Sequence, residues 1–215
     1  MKNTIKLFIV VFGLSLTTQL NAQQFGVRGG LNLASMFEQD NDEIFSDGYK
    51  DKLGFNVGLT AEFPINKFFF FETGLYSNQR GNRIVVDGEN MKIDSKLNLT
   101  YLDIPLMAKL KFDVKKVKLF ALSGMYFGLG MSGKTKSTIT TGGQTEEVSD
   151  PVNWGSAVSE LNRFDYGIAT GFGMEVKSFE VLVSYDFGLA NVTNIAANNF
   201  KTTNQVVKFS LGYRF

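Results

Sequence analysis

From Val207 to the last residue, apolar and polar side chains alternate without a break. Val207, Phe209, Leu211, Tyr213 and Phe215 occupy one face, and Lys208, Ser210, Gly212 and Arg214 the other. Successive side chains of a strand point to opposite faces, so this ribbon is apolar on one side and polar or small on the other. Leu53–Phe63 repeats the pattern: Leu53, Phe55, Val57, Leu59, Ala61 and Phe63 alternate with Gly54, Asn56, Gly58, Thr60 and Glu62. The same period of two predicts strands over about 25–36, 68–79, 97–112, 117–130, 164–176 and 179–189. With 53–63 and the final ribbon, that makes eight. The face assignment is weakest in 117–130, where the alternation is diluted. Pro105 interrupts the fourth strand and predicts a bulge there.

The connections alternate in length. Pro64-Ile65-Asn66-Lys67, Asp113-Val114-Lys115-Lys116 and Lys177-Ser178 are short turns, whereas 38–52, 80–96, 131–163 and 190–204 are long and polar. Residues 84–86 and 91–93, flanking Asp87-Gly88, predict a small hairpin within the second long connection. Thr135–Thr145 reads as a Ser/Thr/Gly-rich loop tip. Strands greasy on one face, joined by short turns at one end and long loops at the other, are the signature of a transmembrane barrel. The expected fold is all-β: an eight-stranded antiparallel up-and-down barrel, with the apolar rows in lipid and the polar rows in the lumen. No stretch after the first twenty residues is apolar and long enough to span a bilayer as a helix, so closure as a barrel is the route left to a membrane protein.

The first residues set the address. Lys2 and Lys6 precede an apolar run, 7–16, of the length of a secretory core, and Ala22 offers a small residue for cleavage. Residues 1–22 are therefore read as a signal peptide and 23–215 as the barrel domain, exported to the outer membrane of a Gram-negative bacterium. The chain has no cysteine, and its net charge of +1 argues against nucleic acid as a partner. With 22 Gly, 21 Phe and only 3 Pro, the composition suits close strand contacts and aromatic surface anchors.

Several segments also resemble a known family. Phe25-Gly26-Val27-Arg28-Gly29-Gly30-Leu31-Asn32-Leu33 resembles the first strand of the PorT-like outer membrane protein beta-barrel domain family, whose members include small porin-family barrels. Tyr101-Leu102-Asp103-Ile104-Pro105-Leu106 resembles its Tyr-Leu-acidic-Ile-Pro-Leu signature. Phe164-Asp165-Tyr166-Gly167, Gly171-Phe172-Gly173 with Glu175, and 185–191 resemble its later strands. The resemblance implies an eight-stranded outer-membrane barrel and no particular activity. The member that names the family assists protein secretion.

The inward rows carry the candidate chemistry. Glu62, Glu72, Asp103, Asp165, Glu175, Glu180 and Asp186 are acidic; Arg28, Lys109, Lys111, Lys208 and Arg214 are basic. Paired carboxylates invite an acid–base mechanism, but a barrel this narrow is filled by side chains, and charges of both signs in it satisfy one another. Arg28 and Arg214, on strands that meet at closure, are expected to bridge Glu62, Glu175 or Asp186. Histidine is absent, so no side chain titrates near neutrality without a large perturbation. No catalytic, cofactor or metal site is assigned. Asp40, Asp42 and Glu43 lack the spacing of a calcium loop and read as a solvated acidic loop. Trp154, with Pro151 and Phe164, reads as an anchor of the third loop at the membrane boundary, the commoner use of such residues, or as the seed of a partner site. Tyr213 and Phe215 are expected to form the C-terminal signal read by the barrel-assembly machinery.

These readings favour a non-enzymatic outer-membrane barrel with a plugged polar lumen. It would act through its extracellular loops and an unidentified partner, or in envelope structure or secretion support. A small-solute porin is one alternative. A soluble lipocalin-like carrier is another, and it requires the two faces to be exchanged.

Overall fold

The computed structural model describes residues 23–41, 44, 49–89, 91–195 and 199–215. The signal-peptide reading of 1–22, like Asp42 and Glu43 of the acidic loop, lies outside them. Among the described residues the strands are β1 (Gln24–Gln39), β2 (Tyr49–Lys50), β3 (Lys52–Pro64), β4 (Phe69–Arg80), β5 (Arg83–Asp87) and β6 (Met91–Val114). They continue with β7 (Val117–Thr141), β8 (Gln144–Pro151), β9 (Phe164–Val176), β10 (Phe179–Gly188) and β11 (Lys201–Arg214).

Every pairing between these strands is antiparallel. Running β6-β4-β3-β1-β11-β10-β9-β7, the sheet closes on itself through β6–β7. Eight strands thus form the ring, while β2, β5 and β8 lie outside it as extensions. β1 and β11 close first strand on last, with Gly26 opposite Arg214 and Arg28 opposite Gly212. Among the described residues no helix is long and apolar enough to cross a membrane.

The alternation decides which way each ribbon turns. Leu31, Leu59, Phe172 and Leu211 are each more than half exposed on the exterior, whereas Arg28, Glu62, Glu72, Lys109 and Asp165 are buried inside. A carrier with an apolar pocket and a polar exterior needs the reverse. The β7 row, ambiguous in sequence, turns Leu119, Met125 and Leu129 outward and Phe120, Leu122 and Tyr126 inward. Its inward face is apolar because it packs against Met107 and Ala169 on the two flanking strands and Leu182 on the next strand along.

Three boundaries differ from the sequence pattern. Strand β6 runs without interruption from the predicted hairpin into the ring, with Val86 opposite Ile93 and Asp87 opposite Lys92. The loop expected over 131–163 contains the upper half of β7 and all of β8, turned at Gly142-Gly143. Every residue of β8 is exposed, so neither face had to be apolar and no hydrophobic period marked it. Strand β11 begins at Lys201 rather than near Val207, because Thr202, Thr203 and Asn204 are polar residues buried in the barrel mouth.

The bulge predicted at Pro105 is absent. The β4–β6 pairing omits the positions between Thr73↔Leu106 and Tyr76↔Asp103 and resumes in the same register. Pro105 lacks the N–H for that ladder, and its carbonyl accepts a bond from the Thr73 hydroxyl at 2.7 Å instead. The register shift falls at Thr100/Tyr101, where β7 carries one extra residue.

Candidate functional site

Two charge clusters are stacked along the lumen. The first lies towards the short turns. Lys109, on β6, is fully buried and places its Nζ 3.0 Å from Glu62, 2.8 Å from Glu72, 3.2 Å from Glu175 and 2.9 Å from Glu180. Arg28 donates to Glu72 from two nitrogens, at 2.8 and 3.0 Å, and from Nε to Glu180 at 2.7 Å. Lys111 bonds Glu62 and lies 2.9 Å from Glu175, and Arg214 pairs with Glu175. Four glutamates therefore face four cations. Round the ring they run cation on β6, acid on β4 and β3, cation on β1 and β11, and acid on β10 and β9, so each like-charged pair of neighbouring strands sits beside strands of the opposite sign.

The second cluster is nearer the mouth, and Arg80 is its centre. Arg80 is completely buried; it bonds Asp103 at 2.6 Å and Asp165 at 2.8 Å, with Asp186 at 3.8 Å. Its guanidinium lies between the rings of Tyr101 and Tyr126, 4.8 and 4.6 Å from their centres. Asn78 donates to Asp103, Asn204 donates to Asp165 at 2.9 Å, and Lys208 pairs with Asp186. A chain of amides runs beside it: Asn56 donates to Asn32 at 2.7 Å, and Asn32 donates to Asn78 at 3.2 Å. The cavity left between the clusters is about 60 Å³, lined by Tyr76, Met107, Leu122 and Lys208 among others. That is room for water molecules and little else.

The expected bridging by Arg28 is corrected in its partners. Arg28 holds Glu72 and Glu180, not Glu62, Glu175 or Asp186. Arg214 does reach Glu175, with Glu62 3.5 Å away. The sequence pattern places Arg80 at the start of the polar connection 80–96. What could have identified it is its parity: Glu72, Tyr76 and Asn78 point inward, and Arg80 continues that row.

Above Arg80 the mouth is closed by the chain itself. Residues 152–163 fold inward, held by Val152 N–H to Gly133 O at 3.0 Å and Asn162 N–H to Val192 O at 2.9 Å. Asn194 donates to the carbonyls of Gly155 and Glu160, both at 3.0 Å. Met36, Leu99, Tyr101 and Val192 form a small buried core there, with Trp154 and Leu161 packed on it. Trp154 is thus not a membrane-boundary anchor. Its ring meets Tyr101 edge-on at 5.7 Å, which makes it the lid of the Tyr101–Arg80–Tyr126 stack.

Gly130 gives the Trp154 ring its place, since a Cβ there would sit 2.5 Å from the indole. Gly130→Val is expected to displace that ring towards water. Trp154 is the chain's one tryptophan, so its emission reports the change directly: a red shift with an unchanged folded band on an unboiled gel. Unshifted emission would show that the indole does not depend on this gap.

The exterior carries aromatic contacts where the strands end. Phe179 meets Tyr213 at 5.2 Å and Tyr213 meets Phe215 at 5.6 Å. Beyond the ring at the opposite end, β5, β6, β7 and β8 continue as a protruding ribbon, with the two-residue β2 added at the edge of β5. There Arg83 bonds Asp94 through two nitrogens, at 2.8 and 2.5 Å, and holds its carboxyl below the usual carboxylate range.

The family model described as an outer membrane protein beta-barrel domain matches residues 18–194. The chain belongs to that family. It is an outer-membrane barrel, and its exposed Leu, Val and Phe rows are the band that faces lipid. The solved structures it is similar to include Ail of Yersinia pestis, at 15% identity over 90% of this chain and 99% of that one, with a TM-score of 0.36. OprG of Pseudomonas aeruginosa shares 14% over 90% and 96%, with a TM-score of 0.43. Outer membrane protein W of E. coli shares 16% over 90% and 98%, also at 0.43. Scores this low leave the assignment to the family match and the ring geometry. No curated protein matches the sequence.

Proposed function

We propose that this protein is a non-enzymatic outer-membrane barrel that acts through its protruding ribbon and not by passing solutes. The observation that carries the reading is a lumen both filled and capped. Two buried ion-pair clusters and the apolar core of Met107, Phe120 and Leu122 fill it, and residues 152–163 cap it. The lumenal acids are held by cations from other strands of the ring, and the chain has no histidine, the side chain whose ordinary pKa lies nearest neutrality. Export by the leader and insertion through Tyr213 and Phe215 complete the picture.

Planar-bilayer recording tests it. The reconstituted barrel is expected to give no stable conductance steps; steps of defined size would favour the porin reading and overturn this one. The ribbon can be tested separately. Replacing residues 137–148 by Asn-Gly leaves Lys136 opposite Ser149 as a tight hairpin. Heat-modifiable migration should then be unchanged, because β8 pairs only with β7 and lies outside the ring. Loss of the folded band would assign the ribbon to folding and not to recognition.

A further inference from the structure

Two of the three short turns share a feature that turn chemistry does not explain. In the β6–β7 turn Val114 pairs with Val117, so Lys115 and Lys116 are the two central residues. In the β9–β10 turn Val176 pairs with Phe179, leaving Lys177 and Ser178. In both, only the first central residue has a positive φ: 58° at Lys115 and 55° at Lys177. Two-residue hairpins of that kind prefer glycine at this position, because a Cβ is disfavoured in the left-handed region. The chain follows the preference at its other end, where Gly142 and Gly143 take φ of 57° and 84° in the β7–β8 turn. At the short-turn end, lysine stands where the backbone favours glycine, and it does so twice.

The remaining turn carries Lys67, also exposed, with its Nζ 5.6 Å from the Phe68 ring. Lys118 is 4.0 Å from Asp113, the one acidic side chain among the residues of these turns. Lys111 and Arg214 are at the same end but are committed to Glu62 and Glu175 inside the lumen. The free lysines form a rim, and it lies just beyond a collar of exposed aromatics: Phe68 and Phe112, 6.2 Å apart, and Phe179 with Tyr213. Aromatic rings of a barrel mark the level of the lipid headgroups. Ammonium groups one turn past that level face phosphate.

We propose that Lys67, Lys115, Lys116 and Lys177 form a binding rim for anionic phospholipid headgroups of the periplasmic leaflet. This rests on the barrel lying in the outer membrane with its short turns towards the periplasm, and it is independent of whether the lumen conducts. Basic residues at a bilayer surface attract anionic headgroups within a Debye length and lose them to salt. The charge serves the membrane contact, which is why lysine displaces glycine at the two hairpin positions.

The test uses the full barrel reconstituted in phosphatidylcholine bilayers containing trace spin-labelled phosphatidylglycerol or spin-labelled phosphatidylcholine. The motionally restricted fraction of each label gives their relative association with the barrel. Wild type is expected to prefer phosphatidylglycerol about three-fold or more, with the preference falling in 1 M salt, to which ~3 Å screening corresponds. Lys67→Gln/Lys115→Asn/Lys116→Gln/Lys177→Asn is expected to abolish it. Asparagine tolerates the left-handed region, so the turns survive, and heat-modifiable migration checks the fold. Equal association of both lipids with wild type overturns the proposal, and so does a preference that persists in the quadruple variant. If that variant does not fold, Lys67→Gln/Lys116→Gln, which changes no positive-φ residue, should still weaken the preference; an unchanged ratio there overturns it too.

Discussion

Arg80→Ala is expected to destabilise the barrel by about 3–5 kcal/mol, the cost of breaking a buried ionic group by removing one partner. Asp103, Asp165 and Asp186 would then share Lys208 as their one nearby cation, with Asp103 and Asp165 fully enclosed. The Tyr101 and Tyr126 rings would also lose the guanidinium between them. The measurement is the urea midpoint of unfolding in lipid vesicles, followed by gel migration. An exposed pair provides the comparison: Lys92→Ala removes the contact with Asp87 at 2.9 Å, and surface pairs of this kind contribute about 0–1 kcal/mol. Arg80→Lys should retain part of the stability, because an ammonium keeps the charge but cannot fork to two carboxylates. A loss in Arg80→Ala no larger than in Lys92→Ala would mean that the cluster is solvated and that the lumen is not the closed interior described above.

Lys109→Met is the second large effect, expected at about 3 kcal/mol. Methionine keeps much of the volume beside Phe120, whose ring lies 4.1 Å from the Nζ, so packing changes little and the charge is the variable. The four glutamates are left with Arg28, Lys111 and Arg214, which pair with them from the sides but do not reach the centre. The loss is therefore at the low end of the range for buried pairs. Adding Glu72→Gln removes one of the now unbalanced carboxylates. The double variant should be more stable than the sum of the two single changes by about 0.5–3 kcal/mol, the coupling found for residues in one network. Additive losses in the same urea assay would show that Lys109 and Glu72 act independently.

The ring strands were legible because each has two different environments. Leu53, Phe55, Val57 and Leu59 face the exterior while Gly54, Asn56 and Thr60 face the lumen, and that difference is written as a period of two. The hairpin of β5 and β6 was also expected, but β8 was not, because both of its faces meet water. Thr135–Thr145 carries no apolar row to betray a strand, and only the register of β7 against β6 and β8 makes it one. Trp154 was misplaced for a related reason. An aromatic in a polar loop suggests a bilayer boundary, and nothing local shows that Tyr101, fifty-three positions earlier, turns its ring into the same mouth.

The amino-acid order by itself determined a barrel, its approximate strands, which face meets lipid and the set of acids and bases inside, because burial in two opposite solvents imposes a local, two-residue rhythm. The tertiary structure alone decided who pairs with whom. Arg28 meets Glu180 across 152 positions and Arg80 meets Asp165 across 85, contacts fixed by the stagger of strands around a closed ring. It also decided that the third long connection returns to seal the mouth, since that depends on a small apolar core assembled from Met36, Leu99, Tyr101 and Val192, residues from three separate stretches of chain that become neighbours only when the sheet closes.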